Sequence, residues 1–280
     1  MIKIGEGETS EVYRIEGGKV LKLFREDMFD QEDFFLEYHT AKHLGDTTEF
    51  APKVYDQVTV NSRRGYTMEE VDGMLFQDEI EDNKDRLRYY ANLLGQMHRQ
   101  LHDKKVTPEL CELNDCKTFF RSFLNRNTCF SKDINSWLLE LLENIPSKQS
   151  LLHGDFMPYN MMIKNGKLQV LDWAEPSLGP AVFDIARTIN FIVDTTDYPT
   201  SVMTKNAVLF TQYYLKGYYK DETIDKEIIH KGLLLNAATE VAWAERSNQS
   251  DEYSEYLKMF ILDNYHSEDI VYMEAIKNIK

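Results

Sequence analysis

The sequence predicts an α+β fold in two unequal parts: a small N-terminal antiparallel sheet lobe with one main helix, then a larger, mostly helical C-terminal lobe. Three observations carry this. Residues 1–71 alternate apolar and polar positions between glycine-bearing turns, the period of half-buried strands. From residue 74 onward apolar residues recur at helical spacing. One strand-like stretch, residues 151–172, interrupts that helical half. Asp72-Gly73 breaks the pattern, so the domain boundary is placed at residues 71–73, giving parts 1–71 and 72–280.

The first part is read as follows. Ile2, Ile4, Val12 and Ile15 flank a bend containing Gly5 and Gly7, Gly17-Gly18 is a second turn, and Val20, Leu21, Leu23 and Phe24 mark a third strand. Strand, glycine bend, strand, turn, strand is a nucleotide-clamp layout, because glycines let backbone N–H groups approach phosphate oxygens. Lys22 lies inside the apolar third strand, and an ammonium there needs a polar target. A helix is predicted over residues 31–44, with Phe34, Tyr38, Ala41 and Leu44 as its buried stripe and Glu37 beside that stripe, within reach of Lys22. A strand starts at Ala51, and Arg63-Arg64-Gly65 is read as the turn into a strand over residues 66–71.

In the second part, Leu87, Tyr90, Ala91, Leu94, Met97, His98 and Leu101 fit one amphipathic helix, with His98 as a satisfied buried histidine. Residues 119–124 and 134–142 suggest two more, stopped by Pro146, and residues 151–172 are expected to be the only strand-like segment of this half. Pro176 and Gly179-Pro180 force a short rigid loop. Asp184 follows near a helix N-terminus, where a carboxylate is favourable as a cap. Helices over 205–219, 224–246, 251–264 and 268–279 close the chain. Tyr213, Tyr214, Tyr218, Tyr219 and Trp243 are read as core and rim.

The chemistry concentrates in LLHGDFMPYNMMIKNGKLQVLD, residues 151–172. Asn165-Gly166 between two apolar runs is a strong two-residue hairpin signal. A hairpin brings its ends together, so Asp155, Asn160 and Asp172 are expected to face one small volume. Three oxygen-bearing side chains suit a hard cation such as Mg²⁺, which keeps positions open for phosphate oxygens. Phosphoryl transfer needs that metal and a carboxylate to take the acceptor hydroxyl's proton. Asn160 and Asp172 can hold metal, which leaves Asp155 as the base. The order base, Asn, then Asp on the next strand is that of a kinase catalytic loop and metal aspartate.

Composition sets bounds. The chain of 280 residues is 42% hydrophobic and 28% charged, a globular balance. Its net charge of −15, from 32 basic and 47 acidic residues, argues against nucleic acid or an anionic membrane and is compatible with a cationic substrate. Apolar runs are too short to span a bilayer, and the N-terminus shows no signal-peptide pattern. Cys111, Cys116 and Cys129, an odd number in no zinc spacing, favour reduced thiols and a cytoplasmic protein.

With His153-Gly154-Asp155 followed by Asn160, and Leu171-Asp172-Trp173 followed by Gly179-Pro180 and Phe183-Asp184-Ile185-Ala186, the chain resembles the aminoglycoside phosphotransferase and choline kinase-like family. The resemblance implies a bilobal protein kinase-like fold and a small-molecule kinase. By position, Asp155 accepts or orients the hydroxyl proton, and Asn160 and Asp172 hold Mg²⁺. Lys22, paired with Glu37, contacts nucleotide phosphates, residues 5–10 (Gly5, Gly7, Ser10) cover them, and Met68, Glu69 and Val71 of the hinge meet the adenine edge. ATP is the implied nucleotide, with GTP as the other option. Two departures stand out: Ser10 replaces a third glycine found in many protein kinases, and Trp173-Ala174 replaces a Phe-Gly pair. Only eleven residues separate Asp172 from Asp184, which leaves no room for a long activation segment, so a compact acceptor fits better than a protein. Glu175, Glu240, Glu245, Asp251, Glu252 and Glu255 are candidates for substrate amines. Trp243 and the tyrosines are candidates for an aromatic cage around a choline-type ammonium. The acceptor is therefore expected to be an aminoglycoside or related amino sugar. The alternatives are a choline/ethanolamine-type or other small-metabolite kinase, and a non-catalytic nucleotide-binding protein.

Overall fold

The structure is a computed structural model. It describes residues 1–7, 9–25, 31–110, 112–194, 201–248 and 251–279, with residues 31 and 32 as backbone only. Glu8 of the glycine bend and Cys111 lie outside the described residues. In chain order the elements are β1 (Ile2–Glu6), β2 (Ser10–Ile15), β3 (Lys19–Phe24), α1 (Gln31–Thr47), β4 (Val54–Val60), β5 (Arg63–Glu69), β6 (Met74–Leu75), α2 (Phe76–Asp82), α3 (Leu87–His102), α4 (Cys116–Arg126), α5 (Lys132–Glu143) and β7 (Ser150–Leu152). They continue with β8 (Met161–Lys164), β9 (Lys167–Val170), β10 (Ser177–Gly179), α6 (Val182–Val193), α7 (Val202–Lys205), α8 (Ala207–Tyr219), α9 (Lys226–Ser247), α10 (Glu252–His266) and α11 (Glu274–Lys277). Backbone contacts divide them into two compact units, Met1–Glu79 with Pro158–Pro176, and Ile80–Met157 with Ser177–Lys280.

The first unit is a five-stranded antiparallel sheet in the order β1-β2-β3-β5-β4, with α1. β3 is central, with both its edges paired, and Val20, Leu21, Lys22, Leu23 and Phe24 are all buried. α1 buries the stripe Phe34, Tyr38, Ala41 and Leu44 and runs three residues past its predicted end. The turn between β4 and β5 differs from expectation. Asn61 and Ser62, at φ 50 and 68, make it, while Arg63, Arg64 and Gly65 already belong to β5. The left-handed conformation is more accessible to Asn than to Arg, and Gly65 instead lets β5 lie tight on the Lys22–Leu23 backbone. A second sheet, β6-β8-β9, holds the predicted hairpin. Asn165 (φ 51) and Gly166 (φ 75) form its two-residue turn, closed by the Lys164–Lys167 pair.

The second unit is helical around α3, α6, α8 and α9. α3 packs on α8 through an interlocked glycine pair: a Cβ on Gly95 would overlap the Tyr214 carbonyl oxygen, and one on Gly217 would overlap that of Asn92. Side-chain caps start several helices, from Asp115 on α4, Ser131 on α5, Asp225 on α9 and Asp251 on α10. Three expectations change. Strand is not confined to residues 151–172, because β7 pairs with β10 in a two-stranded sheet. The helix predicted over 205–219 is two helices, since Ser201 caps α7 and the backbone leaves the helical region at Asn206. The closing helix shrinks to α11, four residues long. Trp243, read as core or rim, is 54% exposed. No described helix is long and apolar enough to cross a membrane. Cys116 and Cys129 are free thiols.

Candidate active site

In the first unit the site is built on Lys22. Strand alternation places Lys22 opposite Tyr66 on β5. The Lys22 ammonium donates to Glu37 Oε1 at 2.6 Å and to Asp172 Oδ1 at 2.8 Å. Tyr66 Oη donates to the same Glu37 oxygen at 2.8 Å. Burial lowers the Lys22 pKa; the Glu37 and Asp172 carboxylates outweigh that and raise it above the usual lysine value. Burial pushes Glu37 the other way, above the ordinary carboxylate range, and the adjacent ammonium only partly offsets it. The result is a buried cation held by one enclosed carboxylate and by one, Asp172, whose side chain is 42% exposed.

Asp172 is positioned by the hairpin. Met161 pairs with Val170, and Leu171 N–H donates to the Asn160 carbonyl at 2.8 Å, so Asn160 and Asp172 flank the hairpin's open end. Asp172 then takes φ 58, an uncommon conformation for a residue with a Cβ. Val170 N–H bonds to the Phe50 carbonyl at 2.7 Å, which ties the hairpin to the segment after α1. Asn160 and Asp172 offer hard oxygen donors, the set that a Mg²⁺-type cation takes. Gly5 pairs with Val12 near the end of β1, and Gly7 N–H closes the bend on the Ser10 carbonyl at 2.9 Å. Ser10 is itself buried and paired with Phe24, so its hydroxyl is not presented at an exposed tip. Met68 and Glu69 end β5, Val71 follows in the connection to β6, and Glu175 is an exposed residue after Asp172.

In the second unit the segment 153–157 carries Asp155. It is braced from α6. Asp184, at the third position of α6, does not cap that helix, contrary to the expectation from its position. Its carboxylate is buried and accepts from His153 N–H at 2.6 Å and Gly154 N–H at 2.9 Å. Thr188, one turn on, donates to the Phe156 carbonyl at 3.0 Å. Asp155 N–H reaches His153 Nδ1 at 3.2 Å, and Met157 N–H closes on the Asp155 carbonyl. Asp184 also faces His98 Nε2 at 3.2 Å and His102 Nε2 at 3.3 Å, while the two Nδ1 atoms meet Tyr214 Oη at 2.7 Å and Tyr218 Oη at 2.8 Å. Burial, with His102 alongside, pushes His98 down to about 3, so it is neutral. Burial opposes charge on Asp184, yet the His102 and His98 hydrogen bonds hold it well below the usual carboxylate range.

Glu240 is half-buried on α9 and Trp243 is exposed on the same helix. Near Glu240 stands a group that sequence reasoning missed. Tyr253 of α10 donates to the Asn190 carbonyl at 2.7 Å. Burial, and then the carboxylates of Asp194, Glu240 and Asp251, raise its pKa well above the tyrosine value. The Asn190 side-chain amide is buried with neither atom hydrogen-bonded. Tyr66 and His102 were also missed, although strand pairing with Lys22 and the i+4 step from His98 signal them.

Residues 1–218 match the sequence profile of the phosphotransferase enzyme family (APH). No curated protein matches the chain in sequence. Among solved structures, amicoumacin kinase hAmiN in complex with AMP-PNP, Ca²⁺ and Ami is 15% identical, with a TM-score of 0.67 over 96% of this chain and 89% of that one. A choline/ethanolamine kinase family protein from Mesorhizobium loti is 13% identical, with a TM-score of 0.65 over 95% and 88%. A thermostable mutant of aminoglycoside phosphotransferase APH(4)-Ia is 14% identical, with a TM-score of 0.65 over 95% of each chain. At these identities the likeness shows a shared fold, an N-terminal antiparallel sheet and a helical remainder of the protein kinase-like class.

Proposed function

The chain belongs to the phosphotransferase enzyme family, and from that premise we propose that it moves the γ-phosphate of Mg²⁺-ATP to a hydroxyl of a small cationic molecule, an aminoglycoside or related amino sugar. The observation that carries the nucleotide half is the Lys22 ammonium, buried yet shared between Glu37 and Asp172 at 2.6 and 2.8 Å. The Lys22 side chain is enclosed, while its Asp172 partner keeps 42% of its side chain in solvent. Here Lys22 contacts nucleotide phosphates, and Glu37, fixed by Tyr66, orients it. Gly5, Gly7 and Ser10 cover the phosphates, and Met68, Glu69 and Val71 meet the base, so residues 1–71 act as the nucleotide clamp.

When bound, the cation neutralises phosphate charge and aligns the transferring group. Asn160 and Asp172 hold it through hard oxygens. Asp155 accepts or orients the acceptor hydroxyl's proton, on a segment whose backbone Asp184 fixes through two N–H bonds. Residues 72–280 supply the acceptor side. A cationic acceptor is favoured by the carboxylates of Asp194, Glu240 and Asp251 around Tyr253 and by the net charge of −15. Glu175 is a further candidate for an acceptor amine. A choline-type acceptor is the second reading, favoured by Trp243 and Tyr256, which expose 54% and 45% of their surface on α9 and α10. A cytoplasmic location fits the two free thiols.

The test is phosphate transfer from Mg²⁺-ATP to a panel of amino sugars and choline-type amino alcohols, read by product mass. Transfer to an amino sugar supports the first reading and transfer to choline the second. Nucleotide binding with no transfer to any member refutes both.

A further inference from the structure

We propose that His98, His102 and Asp184 form a buried site for a borderline divalent metal ion of the Zn²⁺ type, distinct from the Asn160–Asp172 pair. Among the described residues these are the three metal-ligating side chains that converge away from solvent, with ligand atoms within 4.8 Å of one another. His98 and His102 sit one helical turn apart on α3, so both rings project from one face. Asp184 meets them from α6. Two imidazoles and one carboxylate are a donor set that zinc accepts.

The distances suit a shared cation and are long for hydrogen bonds. A neutral N–H···O bond clusters near about 2.9–3.0 Å. The two Nε2–Oδ2 separations are 3.2 and 3.3 Å. Those values match the edge of a tetrahedron, about 3.3 Å when its arms are about 2.0–2.1 Å. Lone-pair counting agrees. Asp184 Oδ2 already accepts His153 N–H at 2.6 Å, which leaves one lone pair for two imidazoles. A single ion on that lone pair serves both rings.

The outer contacts suit the assignment too. Metal-bound histidines fix their rings by hydrogen-bonding through the other nitrogen. Here Tyr214 and Tyr218 hydroxyls hold both Nδ1 atoms at 2.7 and 2.8 Å. A cavity of about 210 Å³ lies beside the cluster, lined by His102, Tyr218, Ser150, Pro180, Arg99 and Glu222. An ion there would staple α3 and α6 to the backbone N–H groups of His153 and Gly154, the segment that carries Asp155.

The experiment strips the full-length protein with a chelator and then titrates it with Zn²⁺, and separately with Co²⁺ as an optical probe. One equivalent is expected in the wild type and in Asp172→Ala, with the intense visible absorption of tetrahedral Co²⁺. His102→Gln should lose that equivalent, and Tyr218→Phe should bind roughly tenfold more weakly. An undiminished equivalent in His102→Gln, or a Co²⁺ spectrum of octahedral type, overturns the site. If His102→Gln does not fold, ¹⁵N NMR of the wild-type histidines decides. Zn²⁺ must shift the Nε2 resonances of His98 and His102, and unmoved resonances overturn the proposal. Because the readout is metal and not turnover, failure here leaves the phosphotransferase reading untouched, and the reverse holds.

Discussion

Replacing Glu37 with leucine tests whether Lys22 is a strained, functional charge or an ordinary structural pair. Removing one partner of a buried ion pair costs about 3–5 kcal/mol, because the other charge stays in a poorly solvated place. Lys22 keeps Asp172 at 2.8 Å, so the lower half of that range applies. The Tyr66 hydroxyl also loses its acceptor, adding about 1 kcal/mol. Glu37→Leu should therefore lose about 4 kcal/mol of unfolding free energy. The double variant Lys22→Met/Glu37→Leu leaves only the part-exposed Asp172 carboxylate there and should recover to within about 1–2 kcal/mol of wild type. Urea denaturation at neutral pH supplies all four corners of the cycle, with circular dichroism and fluorescence of the buried Trp173 as probes. Nucleotide affinity, measured on the same proteins, should vanish in the folded double variant. A double variant as unstable as the sum of its parents would refute the buried-charge account. A folded double variant that still binds ATP at wild-type strength would remove Lys22 from the phosphate site.

Three more outcomes are expected. Asp155→Asn should keep fold and nucleotide affinity while turnover on the identified acceptor drops about 10²–10⁴-fold, the usual contribution of a positioned base; near-full turnover assigns the proton elsewhere. Gly95→Ala would gain about 1 kcal/mol in an exposed helix, but against the Tyr214 carbonyl it should instead lose about 1–3 kcal/mol, a sign that calorimetry reads directly. His230 contributes a pH dependence. Burial lowers its pKa to about 4, with Lys231 adding to that and the Asn264 hydrogen bond and Glu227 opposing it. The unfolded chain, near pKa 6.5, binds the proton first. The stabilisation is therefore full above pH 6.5 and is lost as pH falls through 4, with a slope of up to about 1.4 kcal/mol per pH unit. His230→Gln should flatten the stability curve across that window, and an unchanged slope would show that the ring titrates normally.

Legibility in the sequence followed the range of the interaction. The Asn165-Gly166 turn, the α1 stripe and the amphipathic α3 depend on residues a few positions apart, and the periodicity shows them. Lys22 stood out because a cation inside an apolar strand needs a reason. Asp184 was misread because its partners lie some thirty residues away. A carboxylate near a helix start reads as a cap, and only the fold shows His153 and Gly154 N–H groups waiting for it. Gly95 and Gly217 carried a signal that went unused: glycine inside a helix costs about 1 kcal/mol relative to alanine, which asks for a compensating close approach. The break at Asn206 has no proline or glycine to announce it. Trp243 shows the opposite failure, since aromatic bulk predicts burial only when nothing else needs the surface.

The conformation of Asp172 links these threads. A residue with a Cβ at φ 58 gives up about 1–2 kcal/mol relative to an ordinary strand conformation. Had the hairpin continued as regular strand, its side chains would have gone on alternating between the two sheet faces. The left-handed kink turns the carboxylate onto the ammonium at 2.8 Å while the buried Trp173 anchors the chain beyond it. Asp bears that conformation better than most residues, because its short polar side chain tolerates it. The kink therefore also explains why an oxygen ligand, rather than a bulkier side chain, can stand just after β9. Asp172→Gly would keep the kink and remove the ligand. Asp172→Val would oppose the kink and remove the ligand as well. If metal-nucleotide binding is lost in both while only the valine variant loses stability, backbone strain and ligation are separate properties of one residue. Equal stability losses in the two would mean that the ion pair, and not the conformation, holds the hairpin end in place.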